Sequence, residues 1–299
     1  MKALFFTDTH LRQTNPRWRI GDYAEDVLAK IEATMHMATE EGVNAVFFGG
    51  DFVDHWNVAL SIVNRAVDII QYESEAAGFA FIMALGQHDV QGHNIETVWS
   101  SAASMLLRAC SMWPTIKRGE IHYNDPDSTL VELKREKKST VVVHAMIVPK
   151  PVPWPHILIE DIETDAQIVL SGDYHTGFPP TEHGGTWFAN PGALARIAIS
   201  DRDRVPQIAI IDTEKLPECP IEYVEIPHKP AEEAFDIVGY EAQKDVQAGQ
   251  SEFVARLEQM AAGGHGSSWE ALFEEVKESG TVDEDVLDAA YKLCKEVRE

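Results

Sequence analysis

At 299 residues and 44% hydrophobic content, the chain is long enough for one large α/β domain and a smaller appendage, and too apolar for a disordered one. Acidic residues outnumber basic ones 49 to 25, a formal charge of -24, so any nucleic-acid binding has to rest on local basic groups, bound cations or a partner. Cys110, Cys219 and Cys294 match no zinc or redox spacing, no stretch nears the roughly 20 apolar residues of a membrane span, and Thr7-Asp8 interrupts the N-terminal apolar run. A reduced, cytoplasmic protein with no membrane contact is expected.

Residues 3–7 predict a short buried strand, followed by a polar, arginine-rich loop over 12–19. Val27, Leu28, Ile31, Met35 and Ala38 recur at helical spacing, which predicts a helix over 23–40 that Gly42 ends. Residues 44–48 form the next strand, closed by Gly49-Gly50. A second helix runs through Ile62, Ala66, Ile69 and Ile70, and the apolar run 79–85 predicts a third strand that stops at Gly86. This alternation implies a layered α/β fold with strand ends gathered on one edge.

Residues 130–133, the charged turn 134–138 and residues 140–143 read as a hairpin. Further strands are expected at 168–170, 186–188, 197–199, 208–211 and 221–226, so the predicted architecture is a two-sheet β-sandwich flanked by helices. After Pro227-His228-Lys229-Pro230 the chain turns acidic and helical, which places one domain at 1–228 and a small helical C-terminal region at 229–299. Trp269, Leu272, Phe273 and Val276 form one apolar stripe and Val286, Ala290, Leu293 and Val297 another, with residues 261–268 as a flexible joint.

Five strands end in groups able to hold a metal ion: Asp8-Thr9-His10, Gly49-Gly50-Asp51, Gly86-Gln87-His88-Asp89, His144, and Ser171-Gly172-Asp173-Tyr174-His175. Side chains alternate along an extended segment, so Asp8 with His10, and Asp173 with His175, each present two groups to one place. Singly these clusters are weak. Asp-x-His occurs by chance, Gly-Asp is usually a turn or a helix cap, and a lone His144 is more often a hydrogen-bonded core residue than a ligand. Their succession, each behind a short apolar strand, points to a binuclear metal site.

The series FTDTH, GGD, GQHD, VVVH and GDYH resembles the signature of the calcineurin-like metallophosphoesterases, whose usual form is DxH, GD, GNHD, H and GHxH. The loop 12–22, the GGDFVD stretch and ANPGAL, similar to that family's PGS turn, narrow the resemblance to the nuclease subunit of SbcCD and the meiotic recombination 11-type exonucleases. It covers residues 1–226. The resemblance assigns Asp8, His10 and His175 to one metal and Gln87, His144 and Asp173 to the other, with Asp51 bridging the two. It implies phosphodiester hydrolysis by a two-metal hydroxide mechanism, with His88 as general acid and Asp89 orienting its imidazole. Two positions depart from the family pattern: Gln87 replaces an asparagine and is one methylene longer, and Asp173 replaces a histidine. Both supply oxygen, which favours two Mn²⁺ ions, with Mg²⁺ as the alternative, over zinc.

The same resemblance implies DNA as substrate, an SbcC-like coiled-coil ATPase gripped by the C-terminal helical region, and a homodimer. Two other readings stand beside it: a same-fold enzyme acting on a small diester or monoester, and a catalytically silent scaffold subunit. Asp54 and His55 sit where the family often places substrate-contacting groups, and a helix start accounts for them nearly as well. Arg12, Arg17 and Arg19 read either as phosphate contacts or as solubilising residues of an exposed loop. His93, His122, His156, His183 and His228 read as surface or turn residues.

Overall fold

The computed structural model describes residues 1–109, 140–262, 273–274, 276–278, 286–288 and 290–292. The chain divides into two compact units, Met1–Phe235 and Asp236–Glu299. In the first, β1 (Lys2–Phe6), β2 (Ala45–Phe48) and β3 (Ala80–Met83) pair in parallel, and β10 (Gln207–Asp212) and β11 (Ile221–Glu225) extend that sheet antiparallel beside β1. A second sheet holds β4 (Thr140–His144), β7 (Ile168–Gly172) and β9 (Thr186–Asn190) in parallel, with β8 (Phe178–His183) antiparallel on its edge. Between them in sequence, β5 (Ile147–Val148) and β6 (Ile157–Leu158) form a small separate pair.

Period-two alternation decides which way each strand faces. Ala3 and Phe5 of β1 pack with Ile168, Leu170 and Ala189 of the second sheet, forming the interior of the sandwich. Leu4 and Phe6 point the other way, into a larger core with the two long helices, α1 (Tyr23–Glu40) and α2 (Leu60–Ala77). Phe6 and Phe48 meet there at 4.9 Å between ring centroids, a pairing worth about 1 kcal/mol beyond its buried area. Both helices have defined ends. The Asp22 carboxylate accepts from Glu25 N at 3.1 Å to cap α1, and Gly78, with φ 77°, closes α2 in the left-handed conformation.

Three expectations need comment. The strand predicted at 197–199 is absent: Ile197 N and Ala198 N both donate to one carboxylate oxygen of Asp201, and the segment curls into a turn. The strand β8 was not among those predicted; it accommodates Pro179 and Pro180 because it lies on a sheet edge and its pairing with β9 is interrupted by a register shift between Phe178 and Thr181. Residues 130–138 of the expected hairpin lie outside the described residues, and the described part, β4, pairs in parallel with β7.

The first unit runs past residue 228: Ile20 N donates to Ala234 O, and Phe235 is buried and bridged to Arg19. Within the second unit a helix covers Ile237–Ala262. Of the two apolar stripes, Phe273, Val276 and Val286 are buried there, and Phe273 packs edge-on against Tyr291. Trp269, Leu272, Leu293 and Val297 lie outside the described residues. Among the described residues no helix is long and apolar enough to cross a membrane.

The buried face of α1 carries one charge. Lys30 is enclosed and donates to Leu194 O at 3.3 Å. Burial first, and then Arg196, Arg19 and Arg204, push its ammonium down from 10.5 to about 7. Between those two values the unfolded chain binds more protons than the folded one, so this group makes stability rise with pH there, by up to about 1.4 kcal/mol per pH unit. Urea unfolding in chelator at about pH 7.5 and about pH 9.5 tests this: the stability of the parent relative to Lys30→Met should grow at the higher pH. A difference independent of pH would show that Lys30 is charged throughout.

Candidate metal centre

Because β1, β2 and β3 run in parallel, their C-terminal ends deliver Asp8, Asp51 and Gln87-His88 to one edge, and β4 and β7 deliver His144 and Asp173 to the matching edge of the other sheet. The chain leaves these strands by sharp reversals. Among the described residues six non-glycines have positive φ, and four of them are Asp8 (55°), His10 (41°), Asp51 (54°) and Asp173 (76°). Each costs about 1 kcal/mol or more. A two-loop ladder over-determines them: Asp8 N donates to Gly50 O (3.0 Å), His10 N to Asp51 O (3.1 Å) and Leu11 N to Phe52 O (2.9 Å). A Cβ at Gly86 would lie 2.0 Å from Asp51 Oδ1, and one at Gly50, itself at φ 101°, 2.6 Å from His144 Nδ1. Only glycine lets the loops approach this closely.

The side chains predicted as ligands meet. His10 Nε2 and His175 Nε2 are 3.0 Å apart, and Asp8 Oδ1 lies 3.7 Å from the first and 3.6 Å from the second. Asp51 Oδ2 sits between the two groups, 3.8 Å from His10 Nε2 and 3.2 Å from His144 Nε2. Asp173 Oδ1 is 3.7 Å from His144 Nε2 and accepts from Gln87 Nε2 at 2.9 Å. The tautomer of His144 follows from its Nδ1, which faces Gly49 O at 2.8 Å and leaves Nε2 as the lone-pair nitrogen.

Several buried polar atoms here are poorly satisfied: Gln87 Oε1 has no hydrogen-bond partner, and Asp51 Oδ2 and His144 Nε2 have only each other, at 3.2 Å. An unsatisfied buried polar atom costs about 1–3 kcal/mol, a cost that a bound cation would offset. Asp8, His10, Asp51, His144 and His175, with their ligand atoms in overlapping clusters, fit two divalent metals.

The charges of the site hold one another. Burial alone would raise the Asp8 and Asp51 carboxyls, but His10 with His144 and His175 for the first, and His144 with His10 for the second, bring both below the usual range. Burial likewise opposes a charged His10 and a charged His144, and the neighbouring carboxylates outweigh it and raise both. For His175 burial wins and its pKa falls.

The two departures from the family pattern touch each other. The amide of Gln87 donates to Asp173, and its Oε1 is buried without a hydrogen-bond partner. Asp89 does something other than expected. Its Oδ1 accepts from Phe52 N (2.9 Å) and Val53 N (3.1 Å), and its Oδ2 accepts from Gly86 N (2.9 Å). It therefore clamps the loops after β2 and β3 together and does not touch the His88 ring. The ring nitrogen Nδ1 of His88 faces Asp54 O at 2.8 Å instead, while its Nε2 stands 3.9 Å from Asp51 Oδ2 on a side chain 43% exposed.

Asp54, weighed from sequence as a substrate contact, thus orients His88 through its backbone carbonyl, and its carboxylate pairs with Arg12 at 2.9 Å. A main-chain acceptor leaves no trace in residue type. Arg19 is neither an exposed loop residue nor a phosphate contact: it is buried, pairs with Asp26 at 2.7 Å and stacks against Phe235.

Paired carboxylate and imidazole clusters at the ends of parallel strands in two facing mixed sheets make a dinuclear metal centre. The family model described as calcineurin-like phosphoesterase matches residues 1–205, and the chain belongs to that family, which is one of metal-dependent phosphoesterases. No curated protein matches the sequence. Similar solved structures include a Thermus thermophilus protein (13% identity, 75% of this chain and 98% of that one, TM-score 0.42). A phosphoesterase from E. coli (16%, 76% and 100%, TM-score 0.38) and a dimetal phosphatase from Danio rerio (11%, 77% and 99%, TM-score 0.43) are also similar.

Replacing Asp89 with asparagine keeps its size but points an NH₂ group at the N–H of Gly86 or at those of Phe52 and Val53. Asp89→Asn should lose about 1–3 kcal/mol of stability in metal-free urea unfolding and should bind Mn²⁺ more weakly. Parent-like values in both measurements would remove the clamp from the account of the site.

Proposed function

We propose that this chain is a Mn²⁺-dependent DNA nuclease, the phosphodiester-cleaving subunit of an SbcCD-like repair or recombination complex. The observation that carries the hydrolase part is the set of overlapping clusters in which the ligand atoms of Asp8, His10, Asp51, His144 and His175 meet, with His10 and His175 3.0 Å apart. The DNA part is supported by the GGDFVD and ANPGAL stretches and the loop 12–22. In this reading Asp8, His10 and His175 hold one ion, Gln87, His144 and Asp173 hold the other, and Asp51 serves both. The oxygen atoms of Gln87 and Asp173 favour manganese or magnesium.

When bound, two such ions would stabilise charge on the phosphoryl oxygens and lower the pKa of the attacking water. The rest falls to the chain. With Nδ1–H of His88 given to the Asp54 carbonyl, Nε2 is the nitrogen left to carry a proton to the leaving 3′-oxygen. Its exposure at the mouth of the site suits a group that must meet substrate. A cytoplasmic homodimer bound through the C-terminal helical region to a coiled-coil ATPase would supply the DNA-binding surface that a charge of -24 withholds.

The same charge favours a second reading, a phosphodiesterase or phosphatase for a small substrate. Both are tested by assaying labelled single-stranded and duplex DNA beside a small chromogenic diester, with Mn²⁺, Mg²⁺, Zn²⁺ or chelator. His88→Ala should lower kcat on DNA about 10²–10⁴-fold and leave metal binding intact. Turnover of the diester with none of DNA would select the small-substrate reading. A parent chain that binds no ion and hydrolyses nothing would be the silent scaffold.

A further inference from the structure

The segment Ala193-Leu194-Ala195, which overlaps the end of the ANPGAL stretch, follows β9 and is enclosed. Its backbone is used on both sides. Three successive N–H groups donate inward to the metal loops: Ala193 N to His175 O (3.0 Å), Leu194 N to Thr7 O (2.9 Å) and Ala195 N to Asp8 O (3.3 Å). The three carbonyls of the same residues each accept from a basic side chain. Arg204 spreads its guanidinium fork over the first and third, Nη1 to Ala193 O and Nη2 to Ala195 O, and Lys30 Nζ takes Leu194 O between them.

Asp8 and His175 are two of the three side chains around the first cluster, and Asp8 sits at positive φ. A backbone in that conformation holds only where its surroundings leave no alternative. The segment is irregular, bending at Leu194-Ala195, and among the described residues it joins no sheet. Gly192, immediately before it, has φ 86° and would bring a Cβ within 2.8 Å of His175 O, so the strap lies directly on the metal loop.

We infer that Arg204 and Lys30 are positioning residues for the metal subsite of Asp8, His10 and His175, acting through the strap 193–195. The fork is the essential shape: one planar guanidinium spans two carbonyls that are two residues apart, which a single ammonium does not. The inference rests on the metal-centre reading alone and holds whichever phosphoester is the substrate.

The test is Mn²⁺ titration followed by calorimetry and by electron paramagnetic resonance, whose spin-coupled signal requires both ions. The chains compared are the parent, Arg204→Met, Arg204→Lys, Lys30→Met, His175→Ala and the Arg204→Met/His175→Ala double variant. Arg204→Met should weaken one of the two binding events about 10–100-fold, lose the coupled signal at low Mn²⁺, and leave the other event within about twofold. Arg204→Lys should recover only part of that loss. Lys30→Met should weaken the same event by a smaller factor. On a His175→Ala background, where the first subsite is already disabled, Arg204→Met should add nothing.

Equal weakening of both events, or a further loss in the double variant, would make Arg204 a general fold residue and overturn the inference. If Arg204→Met does not fold, Lys30→Met and Arg204→Lys decide. Either of these, folded and binding both ions as the parent does, overturns it. A parent chain that binds no Mn²⁺ would instead bring down the metal-centre reading, and this inference with it.

Discussion

Asp8 and Asp51 are completely enclosed where two sheets meet, and among the described residues neither forms a salt bridge with a lysine or arginine. Two bare carboxylates this close in a low-dielectric interior cannot persist without positive charge, which the surrounding imidazoles or a metal ion must supply. The neighbouring structure follows from that need. The loops must turn back sharply to aim short side chains at one point, so positive φ appears at four of the residues concerned. They must also pass one another almost in contact, which leaves glycine at 50 and 86. The strain is held by main-chain bonds between loops, by the Asp89 clamp and by the strap 193–195.

Much of the site was legible because each strand that builds it is a short apolar run that stops at a polar cluster, and parallel pairing then forces those stops onto one edge. The two long helices were legible for the same reason, through the spacing of Val27, Ile31 and Met35 and of Ile62, Ala66 and Ile70. The supports of the site were not. Asp89 beside His88 in sequence suggests a partnership that the short 3₁₀ turn breaks by sending the two side chains in different directions. The carbonyl of Asp54 orients His88 without any residue-type signature. Lys30 and Leu194 meet across 164 residues, a contact that no local pattern encodes. Edge strand β8 and the turn at 199–201 failed for the opposite reason: local composition argued for the wrong element and tertiary position overrode it.

The bond between Gln87 and Asp173 crosses from the end of β3 to the end of β7. An asparagine at 87 would draw the amide back by about 1.5 Å, one carbon–carbon bond, and leave Asp173 without its donor. A histidine at 173 would set its ring nitrogen, a lone pair meant for an ion, against the longer glutamine amide. Each residue therefore fits the other better than it fits its partner in the usual pattern. The consequence is mechanical: a single side-chain bond ties the end of β3 in one sheet to the end of β7 in the other, so a change at either position loosens the seam between the sheets as well as the site.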